Sequence, residues 1–80
     1  MAIELTLMSR SYCHLCHDME AALQPLLSQF GATLQVLDVD ADPALEAKYD
    51  ELVPVLLHGE HELCHYFLDA EKTLAYLSQL

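Results

Sequence analysis

Cys13-His14-Leu15-Cys16 stands at a change of period in the chain. Upstream, Ile3-Glu4-Leu5-Thr6-Leu7 alternates apolar and polar side chains with period two, which predicts a strand with one more apolar face. Downstream, Leu15, Met19, Ala22, Leu23, Leu26, Leu27 and Phe30 recur at helical spacing, with His14, Asp18, Glu20, Gln24 and Gln29 off that stripe. Gly31 predicts the helix stop, and Pro25 inside the helix predicts a kink, because proline removes a backbone donor and crowds the preceding turn. The two cysteines therefore lie where a polar loop, Ser9-Arg10-Ser11, runs into a helix N-terminus.

The remaining chain continues the alternation. Thr33 to Val39 reads as a second strand ending in Asp38-Val39-Asp40. Asp42-Pro43 reads as an N-cap followed by proline at the first helical position, and Leu45, Tyr49 and Leu52 form the stripe of that short helix. Val53-Pro54-Val55-Leu56-Leu57 predicts a third strand with proline at its start, Gly59-Glu60 a hairpin turn, and Glu62 to Phe67 the returning strand. Asp69 then caps a last helix carrying Leu74, Leu77 and Leu80. The predicted order is β-α-β-α-β-β-α, an α/β fold. A helical crossover makes the first two strands parallel, and a hairpin makes the last two antiparallel. The expected product is a single domain over residues 1–80 with a four-stranded mixed sheet flanked by three helices.

Composition removes several function classes. The formal net charge is −10, and apolar residues make up 54% of the chain, which argues against disorder. The longest apolar run, Leu52 to Leu57, is far below the roughly 18 residues of a membrane span. Only Arg10, Lys48 and Lys72 could meet phosphates, and they are scattered, so a nucleic-acid partner is not expected. Met1 to Met8 shows no basic region, apolar core or cleavage site of a secretory signal, so a cytoplasmic protein is expected. In that reducing compartment Cys-x-x-Cys points to redox chemistry, metal binding or haem attachment, not to a structural bridge.

A thiol at a helix N-terminus faces unpaired N–H groups and the positive end of the helix dipole, which can lower its pKa from about 8.5 to roughly 3.5–7.5. Cys13 is the outer thiol and is expected to attack. Cys16, one turn in, can resolve the mixed disulfide, and a protonated His14 would favour the thiolate further. Three alternatives compete. Cys13-His14-Leu15-Cys16-His17 matches the haem-attachment signature, but the strand–helix alternation does not suit a small helical cytochrome. Cys13, Cys16, His61 and Cys64 supply four zinc-type ligands, which would make the chain a non-enzymatic metal-binding or protein-binding module. A pure packing role suits the polar loop around Cys13 poorly. Cys64 itself falls on a strand and reads as a semi-buried hydrophobe, while His58, His61 and His65 read as solvated or edge-strand residues around the hairpin.

A Cys-x-x-Cys beside a βαβ pattern indicates a thioredoxin-like redox site. The chain resembles the glutaredoxin branch of the thioredoxin superfamily, and most closely its short bacterial glutaredoxin-like proteins with a Cys-His-Leu-Cys motif. The resemblance rests on Leu5-Thr6-Leu7, Ser9-Arg10, Cys13-His14-Leu15-Cys16, Asp38-Val39-Asp40-Ala41-Asp42-Pro43 and Val53-Pro54-Val55-Leu56-Leu57. It implies a thioredoxin-like fold without the N-terminal β-α unit and a cis Val53–Pro54 bond beside the cysteines. By position, Cys13 resembles the nucleophile and Cys16 the resolving cysteine. Arg10 resembles the basic residue that holds a glutathione carboxylate, and Val53 the residue whose backbone pairs with substrate. Pro54 would shape the docking groove, flanked by Tyr12 and His14. Two departures stand out. His14-Leu15 replaces the usual Pro-Tyr, and the Gly-Gly-x-Asp stretch that cradles glutathione is replaced by bulky residues within Leu63-Cys64-His65-Tyr66-Phe67-Leu68-Asp69. Together with the acidity, this disfavours glutathione. The expectation is a monomeric thiol–disulfide oxidoreductase without a cofactor, acting on a disulfide-containing protein or small thiol, with neither nucleic acid nor membrane as partner.

Overall fold

The computed structural model describes residues 3–50 and 52–80. Met1 and Ala2, where the segment read for a leader and the expected 1–80 domain both begin, lie outside the described residues. The elements run β1 (Glu4–Ser9), α1 (His14–Phe30), β2 (Thr33–Asp38), a 3-10 turn (Val39–Ala41), α2 (Pro43–Tyr49), β3 (Val55–His58), β4 (His61–His65) and α3 (Ala70–Ser78). The sheet order is β2-β1-β3-β4, with β1 parallel to β2 and antiparallel to β3, and β3 antiparallel to β4. This is the mixed sheet expected from the sequence.

Local chemistry explains the boundaries. Gly31 ends α1 in the left-handed conformation at φ 62°, where only glycine carries no Cβ penalty. Asp42 and Asp69 cap α2 and α3 by accepting from the N–H groups of Ala44 and Lys72, and Asp38 does the same for Asp40 at the 3-10 turn. α1 is helical through Pro25, so the Ala21 carbonyl loses its usual donor there without ending the helix.

Strand alternation sends side chains to two sides of the sheet. On one side Leu5, Leu7, Leu56 and Leu63 pack with Met19, Leu23 and Leu27 of α1 and Leu77 of α3. On the other, Met8, Val55 and Leu57 pack with Val39 and with Tyr49 of α2. A register shift between Leu56 and Leu57 pairs them with Cys64 and Glu62 respectively, so Leu63 and Cys64 both join the α1–α3 side despite being neighbours in sequence.

Several details differ from the sequence expectation. β3 starts at Val55, two residues after Val53, and β4 stops at His65, before Tyr66 and Phe67. Leu52 follows the end of α2 and is exposed. On α3 the buried residues are Thr73 and Leu77, while Leu74 and Leu80 are exposed. The inward face of α3 is an i, i+4 row, and Leu74 lies about 100° round the helix from Thr73. Among the described residues no helix is long and apolar enough to cross a membrane.

Candidate active site

The register gathers the site at one end of the sheet. Met8 pairs with Val55, Val55 with His65, and Ser9 with Asp38. Hence the loop from β1 to Cys13, Pro54 just before β3, Tyr66 just after β4 and the Asp38–Asp40 turn all leave the sheet at the same end. The backbone ties two of these segments together, because the Tyr66 N–H donates to the Pro54 carbonyl at 2.9 Å.

Cys13 is the N-cap of α1. Its backbone is extended, and its Sγ accepts from the Cys16 N–H at 3.1 Å, taking the place that an Asp or Ser oxygen usually fills. The Cys13 N–H donates to the Arg10 carbonyl at 3.2 Å, closing the turn that delivers the cysteine to the helix. Cys13 and Cys16 are joined in a disulfide with Cα atoms 5.2 Å apart, well inside the bridging range of about 4.4–6.8 Å. Their surroundings differ sharply. Cys16 lies on the core stripe with Met19 and Leu23 and is fully buried, whereas Cys13 keeps part of its surface open.

The other expected residues divide into two groups. Val53–Pro54 is cis, Pro54 is buried, and Val53 is half-buried with no backbone hydrogen bond among the described residues. His14 is exposed at the first helical position, and Tyr12 projects with 75% of its surface open. Arg10 faces inward to its own chain. Its Nε donates to Asp40 at 3.1 Å and its terminal nitrogen to Asp50, and the Asp50 hydrogen bond raises an already high guanidinium pKa. The carboxylates that claim Arg10 come from positions 30 and 40 residues downstream.

The zinc-type quartet is not assembled. Among the described residues no group of three or more His, Cys, Asp and Glu side chains converges to hold a metal. The reason is local: Cys13 and Cys16 are bonded to each other, Cys64 turns into the core, and His61 stacks on Tyr76 with ring centroids 5.0 Å apart. His58 also contacts Tyr76, 2.7 Å from its hydroxyl, and His65 pairs with Glu62. These histidines serve the hairpin and α3.

Sequence reasoning missed Tyr66 and Phe67 as site residues. Tyr66 adopts a positive φ of 65°, a conformation uncommon outside glycine, asparagine and aspartate, and Phe67 is 70% exposed. Two consecutive aromatics immediately after a strand, with an Asp cap two residues on, were the available signal. A recess of about 260 Å³ lies between them and the first turns of α1. A larger one, about 610 Å³, runs between α1 and the β2 edge past Gln24, Leu27 and Val36, and none of the expected site residues lines it.

Comparison with known proteins agrees with this geometry. The family described as Glutaredoxin-like domain (DUF836) matches residues 4–78. A protein from Nitrosomonas europaea, Ne2328, is 38% identical over 92% of this chain and 89% of its own, with a TM-score of 0.81. Protein XcR50 from X. campestris is 37% identical over 95% of this chain and 97% of its own, with a TM-score of 0.69. A buckwheat glutaredoxin, solved as a glutathione complex, is 22% identical over 91% of this chain and 74% of its own; its TM-score of 0.56 speaks for the fold alone. No curated protein matches the chain.

Proposed function

The chain belongs to the glutaredoxin-like domain family of the thioredoxin superfamily, and from that membership we propose that it is a thiol–disulfide oxidoreductase with Cys13 attacking and Cys16 resolving. One observation carries the reading: of two bonded cysteines, the outer caps a helix within reach of an N–H donor and the inner is fully buried one turn away.

In the reduced protein the Cys16 N–H and the helix dipole favour a Cys13 thiolate. That thiolate attacks one sulfur of a substrate disulfide. A Cys13–substrate disulfide forms, the substrate S–S bond breaks, and the departing thiolate takes a proton from solvent. Cys16 then loses its proton and attacks the Cys13 sulfur, releasing the second substrate thiol and leaving the Cys13–Cys16 disulfide. Two electrons have passed from the protein dithiol to the substrate. Burial keeps Cys16 from meeting external disulfides first, so the order of attack follows from access. The cycle closes when a thiol or dithiol donor, of the kind maintained in cytoplasm, reduces the pair. No cofactor enters these steps.

Val53 and Pro54 would seat the substrate chain beside Cys13, with Tyr12 and His14 at the rim. Among the described residues no hydrogen bond engages the Val53 backbone, which leaves it open for this purpose. Arg10 is less suited to hold a glutathione carboxylate, since Asp40 and Asp50 already satisfy it. Together with the net charge of −10 and the bulky Tyr66 and Phe67, this supports a polypeptide disulfide over glutathione as substrate.

The test is stoichiometric. Reduced protein mixed with a disulfide-bonded peptide should lose two hydrogens by intact mass while two peptide thiols appear. Cys13→Ser should drop the rate to the thiol background. Absence of exchange by the wild-type protein would refute the reading.

A further inference from the structure

Resting on the oxidoreductase reading above, we propose that the recess between the first turns of α1 and Tyr66–Phe67 is a specificity pocket for a lysine or arginine side chain of the polypeptide substrate. The recess, about 260 Å³, is walled by Leu15, Met19, Tyr66, Phe67 and Leu68, and its one carboxylate is Asp18. Two of its lining residues belong to segments that carry the active site. Leu15 lies between the two cysteines, and Tyr66 is bonded through its N–H to Pro54.

Three observations fix the occupant. Size comes first: small-molecule clefts usually hold about 300–1,000 Å³, so this one suits a single side chain better than a whole ligand. Chemistry comes second. An apolar wall with one carboxylate is complementary to an aliphatic stem ending in a cation, which buries its methylenes and keeps its charge at the edge. The aromatic faces of Tyr66 and Phe67 add a cation–π contribution. Charge comes third. Asp18 is exposed and forms no ion pair among the described residues, and a chain of net charge −10 attracts cationic partners and repels anionic ones. Phe67, open over 70% of its surface at this mouth, is the apolar surface such a stem would cover.

The experiment uses the full chain, reduced, and disulfide-bonded peptides with Lys, Leu or Glu scanned through the positions flanking one cysteine. At the best position the second-order rate constant for oxidation of the reduced chain should favour Lys over Leu by about fivefold at low salt, the size of an exposed ion pair plus a cation–π contact, with Glu poorest. Asp18→Asn should cut the Lys/Leu ratio to about twofold, the part left to the cation–π contact, while leaving the rate on the Leu peptide unchanged. Phe67→Ala should slow both the Lys and Leu peptides. Equal rates for all three peptides, a preference for Leu, or a Lys preference undiminished in Asp18→Asn would overturn the pocket while leaving the oxidoreductase reading intact. If no peptide is reduced, that reading fails by itself. The pocket is then judged by chemical-shift changes at Asp18 and Phe67 on adding a cysteine-free lysine peptide, and their absence overturns it too.

Discussion

Cys13 and Cys16 share a helix turn but not an environment, and their reactivities should separate accordingly. In the reduced protein Cys13 should alkylate first, with a pH midpoint below the ordinary thiol value of about 8.5, because the Cys16 N–H and the helix dipole hold its thiolate. A midpoint at or above that value, or faster labelling of Cys16, would contradict this assignment. Cys64 behaves oppositely, since burial pushes its thiol pKa up. The oxidised native protein should therefore label slowly and gain one reactive thiol when denatured. The sign of its effect on stability follows. The unfolded chain ionises Cys64 before the folded one does, so the contribution is present below about pH 8.5 and is lost as pH rises through the folded value. Denaturant midpoints should fall over that alkaline range less steeply in Cys64→Val than in the wild type. Cys13 and Cys16 were legible in sequence because their chemistry depends on spacing and on one helix start. The engagement of Arg10 was not, since Asp40 and Asp50 reach it only after β2 and α2 have folded back.

Capping and periodicity made most elements readable, because a cap or a stripe is decided within a few residues. Gly31, Asp42 and Asp69 each stand where local chemistry requires them. The errors arose where packing chose among neighbours. The inward face of α3 includes Thr73 and excludes Leu74, which an apolar stripe could not show, and the shifted register of β4 turns both Leu63 and Cys64 inward, which a period-two pattern could not show. Thr73 gives a test of this face. Its hydroxyl is buried beside the Cys64 thiol, and among the described residues it has no partner at good hydrogen-bond geometry, a condition that costs about 1–3 kcal/mol. Thr73→Val keeps the shape, removes the orphan group and has similar helix propensity, so it should raise stability by about 1 kcal/mol in denaturant titration. A loss of that size would mean that the hydroxyl is satisfied after all.

Over the whole molecule, one sheet separates two apolar clusters, one beneath α1 and α3 and the other against α2. Leu23 joins α1 to the centre of the larger cluster and is fully buried, so Leu23→Ala should destabilise by about 2–5 kcal/mol. Leu74→Ala, on the exposed side of α3, should cost far less, and comparable losses from the two would contradict the assigned core. The same sheet delivers the β1 loop that leads to Cys13, Pro54 just before β3 and Tyr66 just after β4 to one end. The division of labour between Cys13 and Cys16 is tested most directly by intact mass spectrometry of reduced Cys16→Ser mixed with a disulfide-bonded peptide. A one-to-one mixed disulfide mapped to Cys13, and absent from Cys13→Ser, is the predicted result. An adduct at Cys64, or no adduct at all, would contradict it.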